Sequence, residues 1–327
     1  MPTKNNLEAL REGMAQALRR DPRVIITGED VGPRGGVFRA TEGLYAEFGP
    51  SRVIDSPLSE LSIVAVGIGM ALNGLRPICE IQFADFIHPA FNQIVNEAAK
   101  IRYRSNGDYC VPLIIRAPYG GGISGGLYHS QSIEAIFAHT PGLYVLAPST
   151  PYDMKGLFNA ALQVDDPVLF LEHKRAYRLI KGEVPGDDYV VPIGKAEVKR
   201  AGEDLTIIAY GMMLHEALKA AEALAGEGVA AEILDLRTLS PLDKPAILES
   251  VKKTGKVLIV HEDNLTGGLG GEIAALIAQE AFEYLDGPIT RLAAPDVPSM
   301  PFSHPLQDFF LPNADKIAAA ARRLAAY

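Results

Sequence analysis

Residues 53–81 read VIDSPLSELSIVAVGIGMALNGLRPICEI, and this stretch decides the fold class. A short apolar strand at Val53-Ile54 is followed by a polar turn, a helix from Glu60 to Asn73 and a second short strand at residues 77–81. Strands that alternate with helices in this way predict an α/β fold, in which helices cover both faces of a mostly parallel sheet.

The same alternation extends over the first 180 residues. Leu7, Leu10, Met14 and Leu18 recur at helical spacing behind a cap at Asn5 or Asn6, which predicts an opening amphipathic helix. Further strands are expected at 24–27, 111–116, 143–146 and 168–171, and further helices at 89–102 and 151–163.

A segment rich in proline, glycine and aspartate interrupts this pattern after residue 180. We predict a first domain at 1–180, a linker at 181–200 and a second, smaller α/β domain at 201–327. In the second domain the strands are expected at 205–209, 231–234, 257–260 and 289–292, and the helices at 214–225, 244–252, 271–283 and 314–325.

Composition excludes several classes of protein. The 327 residues carry a formal charge of −9 and are 48% hydrophobic and 22% charged, which is typical of a globular protein and not of a disordered one. No basic block favours a nucleic-acid partner, and no signal peptide or long apolar run favours secretion or a membrane span. The two cysteines, Cys79 and Cys110, lie in apolar surroundings typical of buried thiols, so we expect a cytoplasmic protein.

Glu60 has two interpretations. At the start of a helix a carboxylate interacts favourably with the helix dipole, and Ser56 or Ser59 would then be the cap. Alternatively, a carboxyl buried between the apolar helix and a flat aromatic ligand resists ionisation and can donate a hydrogen bond to a ring nitrogen. Spacing alone favours the first interpretation.

A glycine-rich segment, residues 120–126, precedes the histidine at position 129. It has neither a Walker lysine nor the dinucleotide spacing, so it is a weak phosphate motif. Ser124 lies in a G-x-S-x-G frame but not on a strand-to-helix elbow, which disfavours a hydrolase nucleophile. His129 is suited to general acid–base chemistry, although a lone histidine is more often structural. His261-Glu262 ends a predicted strand, and we favour a subunit contact over a site there.

Together these motifs resemble the β subunit of the thiamine-diphosphate-dependent decarboxylating component of 2-oxo acid dehydrogenase complexes, a transketolase-like family. The matching segments, in chain order, are residues 28–32 (GEDVG), 57–60 (PLSE), 74–77 (GLRP), 82–86 (QFADF), 128–132 (YHSQS), 235–238 (DLRT) and 261–262 (HE). The resemblance implies a transketolase-like pyrimidine-binding domain followed by a transketolase C-terminal domain.

The resemblance also implies half of an active site. In this family the α subunit holds the diphosphate and magnesium, and the β subunit holds the aminopyrimidine ring. Glu60 corresponds to the glutamate that hydrogen-bonds the pyrimidine nitrogen and favours the tautomer needed to deprotonate the thiazolium carbon. Phe86 corresponds to an aromatic residue that packs on the ring, where relatives often have tyrosine. Leu58 and Glu29 complete the expected cofactor-binding set.

Three further expectations follow from the family. His129 corresponds to a histidine implicated in reductive acylation of the lipoyl group on the acyltransferase component. The family likeness also implies that the chain assembles with an α subunit as an α2β2 heterotetramer. A potassium site is implied at the backbone carbonyls of Val111, Leu113, Ile114, Ala161, Val164 and Asp166.

The segments at 81–85 and 128–132 resemble the branched-chain 2-oxo acid members of the family more than the pyruvate members, which implies a branched-chain substrate, while pyruvate and acetoin remain alternatives. A non-catalytic scaffolding subunit is a further alternative, which the presence of Glu60, Phe86 and His129 disfavours. A nucleotide-binding oxidoreductase is disfavoured because no G-x-G-x-x-G turn follows the first strand.

Overall fold

The computed structural model describes all residues from 1 to 327, which form two compact units. The first unit comprises Met1–Tyr119 and Ile136–Ile193, and the second comprises Gly120–Ala135 and Gly194–Tyr327. The glycine-rich segment that carries His129 therefore packs with the second unit, although its neighbours in sequence belong to the first. The domain boundaries at 180 and 200 stay predictions.

The first unit is built from short strands connected by helices. Its strands are β1 (Thr3–Asn5), β2 (Val24–Gly28), β3 (Val53–Asp55), β4 (Arg76–Glu80), β5 (Ile114–Tyr119), β6 (Tyr144–Leu146), β7 (Val168–His173) and β8 (Lys181–Glu183). Its helices are α1 (Asn6–Arg20), α2 (Leu44–Phe48), α3 (Glu60–Leu72), α4 (Ile101–Arg104), α6 (Pro151–Ala161) and α7 (Ala176–Leu179), and α5 (Glu134–Ala138) begins in the second unit and ends in the first.

Six of these strands form a parallel sheet in the order β6-β7-β5-β4-β2-β3. Every residue of β2, β5 and β7 is buried, and because successive side chains point to opposite faces, both faces of the sheet are covered. The opening helix α1 is capped as predicted: the Asn5 side chain accepts from the Glu8 backbone N–H, and Glu8 accepts from the Asn5 N–H.

One predicted helix is wrong. Residues 89–102 do not form a continuous helix but a 3-10 turn at His88–Ala90, a π-helical segment at Gln93–Ala98 and the short helix α4. Apolar periodicity reports which face of a segment is buried, and it does not distinguish these three helix types.

The second unit repeats the α/β alternation on a smaller scale. Its strands are β9 (Glu197–Arg200), β10 (Leu205–Ala209), β11 (Ala231–Asp235), β12 (Thr238–Ser240), β13 (Val257–Asn264) and β14 (Thr290–Ala294). Its helices are α8 (Met212–Ala225), α9 (Lys244–Thr254), α10 (Leu269–Glu280), α11 (His304–Phe310) and α12 (Ala314–Ala325). Five strands form one sheet in the order β14-β13-β10-β11-β9, parallel except for the edge strand β9.

The segment 181–200, predicted as a linker, contains two strands. Within the first unit β8 pairs antiparallel with β1 at the start of the chain, and within the second unit β9 pairs antiparallel with β11. Val184 and Val191 are fully or almost fully buried in the first unit. Much of this segment is therefore hydrogen-bonded and packed, despite its proline and glycine content.

An ion triad lies in the interior of the first unit. The Arg116 guanidinium donates to both carboxylate oxygens of Glu172, at 2.6 and 2.7 Å, and also to Glu80, and all three side chains are buried. Tyr177 donates its hydroxyl to Glu172. These contacts link the central strands β4, β5 and β7 through their side chains as well as their backbones.

Both cysteines are free thiols, as expected, but their environments differ. Cys79 is buried, and burial raises the pKa of its thiol to about 12, whereas Cys110 is partly exposed, contrary to the prediction. No helix in the structure combines the length and the apolar character needed to cross a membrane.

Candidate active site

Three loops that carry predicted site residues leave neighbouring strands at the same edge of the first sheet. Glu29 directly follows β2, Glu60 begins α3 five residues after the end of β3, and Phe86 lies six residues beyond the end of β4. Strand β2 lies between β3 and β4, and all three are parallel, so their carboxyl ends meet. This is the edge at which open α/β sheets bind ligands.

Glu29 and Glu60 are close enough to interact electrostatically. Burial raises the pKa of Glu29, and the neighbouring charges of Asp30 and Glu60 raise it further. Glu60 is half-buried as the first residue of α3, and no side chain caps this helix, because the Ser59 hydroxyl pairs with the Ser62 hydroxyl at 2.8 Å. If Glu60 is only a helix-start carboxylate, a serine cap is expected, and the side-chain cap at Ser59 is absent. The interaction of the Glu60 carboxylate with the helix dipole stays favourable.

Leu58 and Phe86 offer apolar surface on two of the loops that leave this edge of the sheet. Leu58 is 70% exposed, in a turn held by a 2.9 Å hydrogen bond from the Ser56 N–H to the Gly28 carbonyl. Phe86 is half-buried and packs edge-to-face on Phe83, with ring centroids 5.5 Å apart. A single exposed leucine is common on protein surfaces, so Leu58 adds apolar surface here but does not by itself indicate a ligand.

Phe83 is in turn fixed from other directions. It packs edge-to-face on Phe38 at 5.2 Å, and the Lys174 ammonium lies 5.7 Å from its ring centroid. Lys174 also donates to the Pro118 carbonyl at the end of β5. The ring of Phe86 therefore lies against a fixed aromatic support. A carboxyl pair, a supported aromatic ring and an exposed leucine turn fit a flat, nitrogen-containing heterocycle.

His129 lies in the second unit, on the segment that we call the glycine loop, residues 120–135. The neck of this loop is closed by a 2.9 Å hydrogen bond from the Gly120 N–H to the Gln131 carbonyl. A side chain at Gly125 would lie 2.8 Å from the Cβ of His129 and 2.7 Å from its carbonyl oxygen. Glycine at position 125 thus permits the tight path of the chain into His129.

A carboxyl cluster that the sequence motifs did not indicate joins the end of the glycine loop to the end of β13. Glu134 is fully buried, and the Tyr210 hydroxyl donates to its Oε1 at 2.9 Å while its Oε2 has no partner. Burial, followed by the charge of Asp263, raises the pKa of Glu134 well above its ordinary value. Burial likewise raises the pKa of Asp263 to about 6, although backbone N–H groups of Asn264 and Ala135 oppose the rise.

His261 and Glu262 are packed within their own unit, and the subunit contact expected at this segment stays a prediction. The side chain of His261 is buried in its own unit, and Glu262, 5% exposed, accepts a hydrogen bond from the Gly121 N–H of the glycine loop. The carboxyl end of β13 thus holds the loop. No motif could have paired these residues, because 141 positions separate them in the chain.

The six predicted potassium ligands come from two segments that the fold brings together. The Val111 N–H donates to the Asp165 carbonyl at 3.1 Å, which joins the start of β5 to the chain after α6. The carbonyls of Val111 and Leu113 each accept a backbone hydrogen bond at 2.8 Å, and the Val164 carbonyl accepts from Arg76 at 3.1 Å. Each carbonyl keeps a second lone pair, so the donor chemistry fits a monovalent cation, and the site stays a prediction.

Comparisons with known families agree with this two-part architecture. Residues 3–180 match the family described as "Transketolase, pyrimidine binding domain", and residues 194–317 match "Transketolase, C-terminal domain". Among solved structures, a chain titled "Split gene transketolase, inactive beta4 tetramer" superposes with a TM-score of 0.81 at 23% identity, over 98% of each chain. At that identity the likeness concerns the fold alone.

Three curated relatives align over almost the whole chain. The 2-oxoisovalerate dehydrogenase subunit beta of Bacillus subtilis is 58% identical over 100% of both chains. The pyruvate dehydrogenase E1 component subunit beta of the same organism is 45% identical, over 97% of both. The acetoin:2,6-dichlorophenolindophenol oxidoreductase subunit beta of Cupriavidus necator is 46% identical, over 96% of this chain and 95% of the relative.

Proposed function

The chain belongs to the transketolase-like β subunits of thiamine-diphosphate-dependent 2-oxo acid dehydrogenases, and we propose that it supplies the pyrimidine-binding half of each active site. One observation carries this proposal: Glu29, Glu60 and Phe86 lie on the loops that follow the carboxyl ends of the neighbouring parallel strands β2, β3 and β4. When bound, thiamine diphosphate supplies the thiazolium carbon that attacks the 2-oxo acid.

Glu60 is proposed as the group that hydrogen-bonds the pyrimidine nitrogen. Its place as the first residue of α3 fixes its backbone, and its charge contributes to the raised pKa of the neighbouring Glu29. Phe86 packs on one side of the ring and is held by Phe83, while the turn at Leu58 approaches the ring through its backbone. These residues bind and orient the ring, and Glu60 hydrogen-bonds its nitrogen.

His129 is proposed to protonate the lipoyl group during acyl transfer. When the acyl carbon bonds to one sulfur of the dithiolane, the S–S bond breaks and its electron pair leaves on the second sulfur as a thiolate. An imidazolium can donate the proton that this thiolate takes up. The lipoyl group belongs to the acyltransferase component, which is the partner that this role requires.

For the substrate we propose a branched-chain 2-oxo acid. The identity of 58% to a 2-oxoisovalerate dehydrogenase subunit exceeds the 45% and 46% to the pyruvate and acetoin relatives. The partner is proposed to be an α subunit in an α2β2 heterotetramer, which holds the diphosphate and magnesium. Potassium, where bound, would be held by backbone carbonyls near the start of β5.

Glu60→Gln in the assembled enzyme tests the catalytic half of the proposal. We expect decarboxylation with 2,6-dichlorophenolindophenol as acceptor to fall about 100-fold, within the usual range for a lost acid–base group. Glu272→Gln is the matched control, since Glu272 is an exposed carboxylate in the first turn of α10 and should leave the rate unchanged. Wild-type decarboxylation by Glu60→Gln would instead support a scaffolding subunit.

His129→Ala tests the second role in the same preparation. Acyl transfer to lipoamide should fall at least about 10-fold while dye-linked decarboxylation stays within a factor of two, because only the first reaction needs a proton for the thiolate. His139→Ala, at an exposed histidine, is the control. Equal loss of both activities would contradict a lipoyl-specific role.

A further inference from the structure

The glycine loop is attached to the second unit at both of its ends. At the entrance the Gly121 N–H donates to Glu262, which is 5% exposed at the end of β13. At the exit Asp263, the next residue of the same strand, accepts from the backbone N–H of Ala135. These attachments fix the two ends of a segment of about 15 residues, and they leave the path between the ends to be set by other contacts.

A third attachment lies in the middle of the loop, at Gln307. This side chain is 3% exposed, and its amide makes three hydrogen bonds. Its Oε1 accepts from the Ser124 N–H at 3.2 Å, and its Nε2 donates to the Ser124 hydroxyl and to the Phe302 carbonyl, both at 2.9 Å. An amide supplies an acceptor and two donors in one group, which neither a carboxylate nor an apolar side chain can do.

Ser124 has a backbone conformation that needs such support. Its φ of 57° lies in the left-handed region, which costs energy for any residue with a side chain. The two bonds to Gln307 satisfy both its N–H and its hydroxyl in this conformation. The strained turn lies five residues before His129, so the path of the chain into His129 is set there.

The element that carries Gln307 is itself fixed. The Lys316 ammonium donates to the carbonyls of Asp308 and Phe309 at 2.6 Å and of Leu311 at 2.7 Å, which caps the end of α11. On the loop side, the ring of Phe302 lies where a side chain at Gly126 would be, 2.2 Å from an ideal Cβ. The amide thus joins a rigid support to the turn that precedes His129.

We propose that Gln307 is a positioning residue for His129: its amide clamps the turn at Ser124 and so holds the histidine where it can protonate the lipoyl thiolate. This rests on the proposed role of His129. Gln307 acts through the loop and takes no part in cofactor activation, so its loss should affect acyl transfer and spare decarboxylation.

The test compares Gln307→Met, Gln307→Glu and His129→Ala in the assembled enzyme. Gln307→Met removes all three hydrogen bonds, and Gln307→Glu keeps acceptors toward Ser124 but sets a carboxylate oxygen against the Phe302 carbonyl. Gln279→Met, at an exposed glutamine on α10, is the matched control. Each variant is assayed for lipoamide acylation and dye-linked decarboxylation, and hydrogen exchange is measured for the amides of residues 121–130.

We expect Gln307→Met to lower kcat for lipoamide acylation about 10-fold, to leave decarboxylation within a factor of two, and to accelerate exchange at 121–130 but not in β10. Gln307→Glu should show a smaller loss. The double variant with His129→Ala should be no slower than His129→Ala alone, because one residue acts through the other.

Three results would overturn the proposal that Gln307 positions His129. The first is additive loss of acylation in the double variant, and the second is equal loss of acylation and decarboxylation in Gln307→Met. The third is wild-type acylation by Gln307→Met while His129→Ala is defective. Wild-type acylation by His129→Ala would instead overturn the proposed role of His129, and with it the role of Gln307 that depends on it. The two failures are therefore distinguishable.

Discussion

Replacing His261 by asparagine should make the protein more stable, relative to the wild type, as the pH falls from about 6.5 toward 4. The imidazole is buried, its Nδ1 lies 3.1 Å from the Asp263 carbonyl, and its Nε2 has no partner. Burial lowers the pKa of His261 from 6.5 to about 4. Two glycines close over the ring, since a side chain at Gly268 or Gly270 would lie 2.6 Å from a ring atom.

The magnitude follows from the two pKa values. The folded chain keeps His261 neutral, so below about pH 6.5 the unfolded chain binds one proton more, and acid favours unfolding. A pKa change from 6.5 to about 4 corresponds to about 3 kcal/mol of unfolding free energy, present above pH 6.5 and lost as the pH falls toward 4.

Asp263 has the opposite effect over almost the same range. Because burial raises its pKa from 3.8 to about 6, the folded chain binds the extra proton, and stability rises by about 3 kcal/mol as the pH falls from 6 toward 3.8. In the wild type the two effects largely cancel. Glu134, Glu262 and Arg291 also act on this pair, and they are unchanged in both variants below.

Urea denaturation of the full chain at pH 4.5, 5.5 and 7, at one protein concentration, measures the effect. His261→Asn should become more stable on acidification, and Asp263→Asn less stable, each relative to the wild type. The change in slope is the observable, because the cavity left by the smaller side chain adds a cost that does not depend on pH. Identical slopes in His261→Asn and the wild type would refute a buried neutral imidazole.

Two further predictions concern the interior of the first unit. Arg116→Met leaves two buried carboxylates without their cation and should lower the unfolding free energy by about 3–5 kcal/mol. Arg19→Met breaks an exposed ion pair and should cost less than about 1 kcal/mol. Equal urea midpoints for the two variants would argue against a buried triad. Gly67→Ala would place a Cβ 2.5 Å from the Cys79 sulfur and should lower the unfolding free energy by about 1–3 kcal/mol. Adding Cys79→Ala to this variant should partly restore its stability. Strictly additive effects of the two substitutions on the unfolding free energy would show that the crowding lies elsewhere.

Local patterns predicted much of the first sheet. The apolar runs at 24–27 and 168–171 are the buried strands β2 and β7, and the helix predicted from Glu60 is α3. Because a parallel sheet gathers the carboxyl ends of its strands at one edge, the same patterns also predicted that the loops with Glu29, Glu60 and Phe86 leave the sheet at one edge. Here a short-range signal was sufficient, since each residue follows its own strand by a few positions.

Pairing between distant and polar segments could not be predicted in this way. Strand β8 is formed by Lys181–Glu183, which has no apolar alternation, and it exists because β1 at the start of the chain lies beside it. Its backbone hydrogen bonds depend on a neighbour about 180 residues away and not on its side chains. A segment of this composition resembles a linker until its partner is known.

The glycine loop is a second example in which local sequence patterns could not predict contacts between distant segments. In the sequence its glycines indicate flexibility, but in the structure Gly121 and Gly126 give room to Met300 and Phe302, whose atoms lie 2.0 and 2.2 Å from ideal Cβ positions. These glycines allow close packing that holds the loop, and Gln307 adds hydrogen bonds at the turn between them. Glycine in a loop is thus ambiguous until the opposing surface is known, because freedom of the backbone and close approach by a distant side chain require the same residue. The position of His129 therefore depends on residues near 300, which no motif around the histidine could indicate.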